Sequence, residues 1–366
     1  METSRLLLLD AVALGNGNPS GVERYARQLL PHLTRALQKE KWLIGWVGHS
    51  EQPPVGMPEG AHWYHSPYQR FWGQTALPQL LRALRPALYY TPSSIPPLRA
   101  SCVTSCTVHD LGVYHQPSSY TLANRLRLGL LSKRAIIQAA TVIVPTQYVA
   151  GDLQHYWHID RSKVVVASEG YEKETVKPLP LPVKLPFLLY VGRIESKKNL
   201  LPLLQGFVKL ADEGGYGLVL AGANGVGANK VRKYIGTLPT ETQQRIVLPG
   251  YVSEGEKQWL YQNAVAGLVP CPYEGFGLPL LDCFAAGLPV VCAKAGALPE
   301  VGAQACLYAE YDSPTDWYLH MRTVVLDQAV RKHLSSAGTE RLRAFSWEKT
   351  AALIASTLSE SATVRL

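Results

Sequence analysis

Short apolar runs alternate with longer amphipathic stretches along the whole chain. In the first half, the runs at 6–10, 42–47, 88–91, 103–108, 142–145 and 164–167 read as strands. Helical patterns at 21–38, 77–84 and 120–139 separate most of them. Alternation of this kind predicts parallel sheets with helices on both faces. Residues 173–186 are rich in Pro and Lys, lack helical periodicity, and read as an interdomain linker. The pattern then restarts, with strands at 187–192, 218–222, 245–248, 265–270 and 290–293 and helices at 200–211, 228–236 and 254–263. After Asp312 the chain reads as helical, and no strand follows its last helix, from Trp347 to about residue 360. The expected fold is α/β, with two Rossmann-like domains at 1–172 and 187–345 and a final helical segment at 346–366. In such a fold ligands are expected in a crevice at the C-terminal ends of the strands.

Composition adds limits. The 366 residues suffice for two domains, and 47% apolar content can fill two cores. Lys and Arg number 36 against 28 Asp and Glu. That balance favours nucleotides, phosphorylated lipids, membrane surfaces or nucleic acid without choosing among them. Cys102, Cys106, Cys271, Cys283, Cys292 and Cys306 lie mostly in apolar runs, with no CxxC pair or His/Cys ligand cluster. They read as reduced, buried thiols in a cytosolic protein. The run from Arg5 to Leu9 meets Asp10 too early for a signal peptide and reads as a buried strand. No apolar run approaches the ~20 residues of a membrane span, so the expected protein is soluble or lies on a membrane surface.

The densest chemistry lies between Pro270 and Val291. Glu274 opens a Gly-rich loop, and Asp282 follows eight positions later on the helix that the loop starts. Pro279 suits the first helical turn, Gly287 closes the helix, and Pro289 keeps it from restarting. A helix N-terminus with loop amides favours an anion such as phosphate. Two carboxylates beside it are acceptors for the hydroxyls of a sugar and a ribose. A nucleotide-sugar has all three parts.

Other motifs carry two readings each. Gly15, Gly17 and Gly21 form GxGxxxG, one residue longer than the dinucleotide fingerprint, and strand two lacks the acidic residue that NAD binding needs. The cluster is either a loop near a ligand or a turn before a helix capped by Ser20. His109 and Asp110 end a strand, which places them toward the crevice; the alternative is a structural histidine. Arg193 and Lys198, after Gly192 and beside Asn199, suit a diphosphate, against a plain solvated basic loop. The stretch 124–137 mixes Arg125, Arg127, Lys133 and Arg134 with Leu and Ile. It reads either as a membrane-surface helix or as a core helix with a solvated basic face. The aromatic-rich region 63–72, with Tyr64, Tyr68 and Phe71, reads as an acceptor-side loop or as packing.

Together these residues resemble the retaining glycosyltransferases of family 4, which have the two-Rossmann GT-B fold. Glu274 to Asp282 resembles the family's E-x7-E element, and Gly192, Arg193, Lys198 and Asn199 match its G-R-x4-K-N element. Gly250 to Ser253 resembles its turn near the base, Pro299-Glu300 its LPE, and Trp347 the start of its final helix, which in this fold crosses back onto the N-terminal domain. Gly21 to Tyr25, Trp72 to Gln74 with Leu77-Pro78, and His109 to Leu111 resemble the bacterial mannosyltransferase branch.

The resemblance implies catalytic roles for His109, Glu274, Arg193 and Lys198. It implies donor contacts at Gly21, Gly192, Asn199, Gly222, Val252, Gly275, Phe276, Gly277, Leu278 and Asp282, with Gly17 and Asp110 toward the acceptor. Asp282 departs from the family's usual Glu, and its shorter reach weakens or relays the implied ribose contact. The implied activity is transfer of a hexose, mannose from GDP-mannose first, to a saccharide or lipid-linked saccharide. The alternatives are a UDP-sugar transferase, a GT-B epimerase, or a non-catalytic sugar-nucleotide or membrane-binding module. No tightly bound cofactor, metal or nucleic-acid partner is implied. The expected location is the cytoplasm, with peripheral contact at the inner membrane face through the basic helix.

Overall fold

The computed structural model describes residues 5–15, 21–67, 70–92, 95–173, 176–183 and 186–363. Contacts divide the chain into two compact units, Met1–Glu172 with Phe345–Leu366, and Lys173–Ala344. Each is an all-parallel sheet clothed by helices.

The first unit holds β1 (Leu6–Asp10), β2 (Leu43–Gly48), β3 (His62–His65), β4 (Leu88–Thr91), β5 (Val103–Thr107), β6 (Thr141–Val144) and β7 (Val164–Val166), in the order 3-2-1-4-5-6-7. The second holds β8 (Phe187–Val191), β9 (Gly217–Ala221), β10 (Ile246–Gly250), β11 (Ala266–Val269), β12 (Val290–Ala293) and β13 (Cys306–Ala309), in the order 10-9-8-11-12-13. Strand order reverses between β1 and β4 and between β8 and β11. There the loops leaving neighbouring strands diverge and a ligand can reach the strand ends.

The central strands are apolar because helices cover both faces; β1 and β4 are buried throughout. Two strands escaped the sequence reading. β3 and β13 are four-residue edge strands with half-buried positions, and of the two only β3, with a histidine at each end, lacks an apolar run. The region 63–72 is therefore mostly packing. Trp63 and Tyr64 fill the space left by Gly48 and Gly45, and Trp72 is buried with its indole N–H on Ser66 Oγ (2.7 Å). Phe71 is exposed, and Tyr68 lies outside the described residues. The stretch 120–139 is not one α-helix. Helical turns at Leu122–Leu126 and Lys133–Gln138 flank a π-helical turn at Arg127–Ser132.

The linker residues 176–183 belong to the second unit, where the Leu179 N–H donates to Gly255 O (3.0 Å). The final helix, Trp347–Thr363, packs in the first unit beside the helix Gly21–Lys39. Trp347 is 1% exposed, meets Tyr25 edge to face, and donates its indole N–H to Gln28 Oε1 (3.2 Å). Thr350 Oγ1 donates to Ser168 O (2.6 Å), and Ile354, Ala355 and Leu358 complete the apolar seam. Burying an indole of this size stabilises by roughly 4 kcal/mol. No helix among the described residues is long and apolar enough to cross a membrane. All six cysteines are free, and only Cys102 is less than fully buried.

The seam is testable at Gly170, where an added Cβ would lie 2.4 Å from Trp347 N and 2.5 Å from its Cγ. Gly170→Ala should lower the stability of the first unit by roughly 2–3 kcal/mol. Urea unfolding would read this as a lower midpoint, and limited proteolysis as faster cleavage near residue 345. An unchanged midpoint would refute the packing.

Candidate active site

In the second unit the reversal of strand order assembles the charged residues. The loop leaving β8 carries Arg193 and Lys198, and the loop leaving neighbouring β11 carries Glu274. Their meeting follows from topology, although Lys198 and Glu274 are 76 positions apart. Lys198 Nζ donates to Glu274 Oε1 at 2.5 Å, with both side chains 21% exposed. Burial alone would lower the Lys198 pKa, but the adjoining carboxylate lifts it above its ordinary value, so the lysine remains a cation.

Backbone contacts aim this pair. The β8 loop is laced to the segment after β9 by Ile194 N–H to Ala223 O (2.9 Å), Gly225 N–H to Ile194 O (2.8 Å) and Ser196 N–H to Val226 O (2.8 Å). The Tyr190 hydroxyl donates to Arg193 O (2.8 Å), and burial holds this phenol above its ordinary pKa. On the other loop, the buried Cys271 thiol donates to Tyr273 O (3.0 Å) and is pushed by burial up to about 12. Glu274 O accepts the Ala297 N–H (3.0 Å), and a side chain on Gly296 would lie 2.9 Å from Glu274 N and O.

The other residues expected to contact a donor are placed in different ways. Gly277, at φ 107°, caps the helix Leu278–Ala285, with Pro279 in its first turn. Asp282 sits on that helix, half-buried. Gly192 and Gly222 touch at the ends of β8 and β9. Val252 is buried beside Ser253, which caps the next helix reciprocally with Glu256. Asn199 takes a left-handed conformation (φ 51°) and donates its side-chain amide to Tyr311 O (2.9 Å). It shapes the turn that presents Lys198. Arg193 does not join the Lys198–Glu274 pair. Its guanidinium is 64% exposed and lies 3.8 Å from Glu195 Oε2, while Lys197 Nζ lies 3.4 Å from Glu195 Oε1. Glu195, nearly buried, was missed in the sequence, where it sits inside a basic run.

In the first unit, Gly21 opens the helix Gly21–Lys39, and Gly17 and Ser20 lie outside the described residues. Asp110 is exposed and accepts the Gly112 N–H (2.8 Å), a local turn. His109 packs edge-on against Tyr25, and its Nε2 is 2.8 Å from Pro92 O. A carbonyl only accepts, so Nε2 carries a proton. Nδ1 lies 3.5 Å from Oε1 of Glu169, a second residue missed in the sequence. Glu169 is 4% exposed, and its Oε2 has no hydrogen-bond partner among the described residues. Burial alone would lower the imidazole's pKa, but the Glu169 carboxylate outweighs it and raises it. Asp10, also overlooked, is fully buried at the end of β1 and accepts from Tyr89 (2.7 Å), Thr91 (3.1 Å) and the Val12 N–H (2.9 Å).

Comparison with known proteins covers both units. Residues 19–174 match the model of Glycosyltransferase Family 4, and residues 172–341 that of Glycosyl transferases group 1. The chain is 26% identical over 281 residues to an O-antigen chain mannosyltransferase B of Escherichia coli, covering 73% of each. It is 26% identical over 252 residues to a D-inositol 3-phosphate glycosyltransferase of Corynebacterium glutamicum, covering 63% of the chain and 60% of that protein. Sucrose-phosphate synthase of Thermosynechococcus elongatus superposes with a TM-score of 0.73 at 18% identity, over 97% of this chain and 98% of that one. The fold shared with it is the GT-B fold.

The His109–Glu169 pair is open to titration. The folded imidazole pKa is raised, so its stabilisation is complete below the unfolded value and fades as pH rises through the raised one. NMR should find the His109 ring titrating above the ordinary histidine range, and lower in Glu169→Gln. The stability lost in Glu169→Gln should be largest in mildly acidic solution and shrink toward alkaline pH. Equal losses across that range would overturn the assignment.

Proposed function

The chain belongs to the group 1 glycosyltransferases of family 4, and on that premise we propose that it transfers mannose from GDP-mannose, with retention, to a saccharide or lipid-linked saccharide. The observation that carries this reading is the Lys198–Glu274 contact at the strand reversal of the second unit, beside the helix that Gly277 caps. Similarity to the O-antigen chain mannosyltransferase B of Escherichia coli supports mannose as the sugar.

In this proposal the donor diphosphate takes Lys198 from Glu274. Lys198 and Arg193 then neutralise the phosphates, and the freed Glu274 carboxylate accepts hydrogen bonds from hydroxyls of the sugar. The helix N-terminus at Gly277 and Leu278 adds a favourable dipole for the same anion. Amides of Gly275 and Phe276 help hold the sugar or phosphate, Gly192, Gly222 and Val252 border the nucleotide, and Asp282 reaches the ribose directly or through water. The bond from the anomeric carbon to the diphosphate oxygen breaks as the acceptor oxygen bonds to the same face. The acceptor's proton passes to the departing phosphate oxygen, through an oxocarbenium-like state. Charge on the leaving diphosphate grows along this path, so fixed cations stabilise the transition state more than the ground state. These cations supply the countercharge, and the proposal includes no metal. A lipid-linked acceptor would bring this enzyme from the cytoplasm to the inner face of the membrane.

A thermal-shift comparison of GDP, UDP and ADP, followed by transfer assays with the matching sugars, tests the reading. GDP should raise the melting temperature most, and NMR of the product should show a retained anomeric configuration. Glu274→Ala and Lys198→Ala should each lower kcat by about 10²–10³. Selective stabilisation by UDP would replace the donor, and epimerised nucleotide-sugar without acceptor would replace the reaction. Absence of nucleotide binding and of transfer with every donor would sink the proposal.

A further inference from the structure

Three side chains able to ligate a metal meet where the chain leaves the first unit and where it returns. The first unit breaks off after Glu172 and resumes at Phe345. Glu172 lies on the departing segment, and Glu348 lies in the first turn of the returning helix Trp347–Thr363. His32 lies on the helix Gly21–Lys39, which both segments touch. Its Nε2 is 2.7 Å from Glu172 Oε1, and its Nδ1 is 3.9 Å from Glu348 Oε1. One ligand atom from each of the three residues falls within 4.8 Å of the other two.

Neighbouring hydrogen bonds hold the three segments in place. Gln28, one helical turn before His32, donates its side-chain amide to Glu172 O (3.5 Å) and accepts the Trp347 indole N–H (3.2 Å). The Tyr171 N–H donates to Phe345 O (3.3 Å), which ties the departing segment to the returning one. Ser346 Oγ donates to Glu348 Oε2 (2.7 Å), so that Oε1 is the oxygen nearest His32. Hydrogen bonds to the second atom of a ligating group orient it in metal centres. The His32 side chain is 17% exposed, against 52% for Glu172 and 74% for Glu348. Packing therefore fixes the imidazole, and the two carboxylates can adjust around it.

Charge and ligand type select the occupant. Lys and Arg outnumber Asp and Glu by 36 to 28, yet among the described residues the ion pairs of Glu172 and Glu348 are with His32 alone. Two carboxylates without a lysine or arginine partner thus converge on one imidazole. Zn²⁺ accepts this nitrogen and oxygen set at about 2.0–2.2 Å, with water completing a tetrahedron whose ligands stand about 3.4 Å apart. Rotation of the exposed glutamate side chains closes the spacing to that value. Ca²⁺ and Mg²⁺ take shells of oxygen, so a set centred on histidine disfavours them.

We propose that His32, Glu172 and Glu348 bind a zinc ion that pins the departing and returning segments of the first unit to the helix Gly21–Lys39. The ion replaces the proton that His32 shares with Glu172 and holds the start of the final helix. Its role is structural. The proposal is independent of the transferase reading, since none of the three ligands belongs to the Lys198–Glu274 site.

The test uses the untagged full chain, stripped with a chelator and dialysed against ZnCl₂, MgCl₂ or CaCl₂. Metal analysis should find one Zn²⁺ per chain at free concentrations on the order of micromolar, and far less Mg²⁺ or Ca²⁺. His32→Ala should weaken Zn²⁺ binding at least about tenfold, and so should Glu172→Gln with Glu348→Gln. Zn²⁺ should raise the melting temperature of the wild type and slow its proteolysis near residue 345. The glutamine variant changes only exposed side chains. It should melt with the wild type when metal is absent and lose both effects of Zn²⁺. Failure of the wild type to take up Zn²⁺ overturns the proposal. Uptake that survives in both variants would assign the metal to other groups, such as the cysteines, and overturns it too. A Zn²⁺-dependent dimer that both variants abolish would place the ion between two copies of the chain and also refute the pinning role.

Discussion

The second unit depends on a close approach of two backbone turns. A Cβ on Gly222 would fall 2.0 Å from Gly192 O and 2.6 Å from Gly192 C, so no side chain fits at the end of β9. Because the turns touch, the β8 loop can be laced to the segment after β9 through Ile194, Gly225 and Ser196. That lacing leaves the short Ser196–Lys198 turn with one direction to face, toward the end of β11. Gly296 plays a matching part on the other side, where the turn after β12 rests directly on the Glu274 backbone. The ion pair is thus held by main-chain geometry on both sides, and its side chains remain free to exchange partners.

Electrostatics then distinguishes the residues within the loop. Glu195 gathers Arg193 and Lys197, which leaves Lys198 as the cation facing Glu274. At the corresponding strand end of the first unit, the buried Asp10 is met by Tyr89, Thr91 and a backbone N–H. Neutral donors satisfy a carboxylate without offering a cation to a phosphate. The same position in two similar sheets is therefore used for different purposes, one to fix a loop and one to hold an exchangeable charge.

Much of this was legible in the sequence where burial or backbone chemistry forces a residue type. β1, β4, β8 and β12 show as apolar runs because helices cover both of their faces. Pro279 and Gly287 marked the limits of one helix because each suits a single backbone position. The edge strands β3 and β13 carry no such constraint and stayed hidden. The π turn left no signature in 120–139, since its register depends on packing and not on composition. Glu169 was illegible for a different reason. Its local sequence, Ser-Glu-Gly, reads as a surface turn, and only the meeting of the β5 and β7 ends shows it buried against His109. The basic stretch was open to two readings, and it is not a single helix: its leucines are exposed while Ile136 and Ala139 pack in the core.

The Lys198–Glu274 and His109–Glu169 pairs both lie at strand ends, and their burial separates their work. Lys198 and Glu274 are each 21% exposed, so water or an incoming phosphate can replace either partner as the pair parts. Glu169, with its side chain 6% exposed and one oxygen already unpartnered, has no such substitute. Separating it from His109 would leave a buried charge unpaired, a far costlier change than parting two partly solvated groups. His109 is further fixed by its proton on Pro92 O. The first unit therefore presents a histidine of fixed orientation, whereas the second presents a pair able to change partners. A transferase that trades a lysine–glutamate contact for lysine–phosphate and glutamate–sugar contacts needs one exchangeable pair, and this structure places it where the β8 and β11 loops converge.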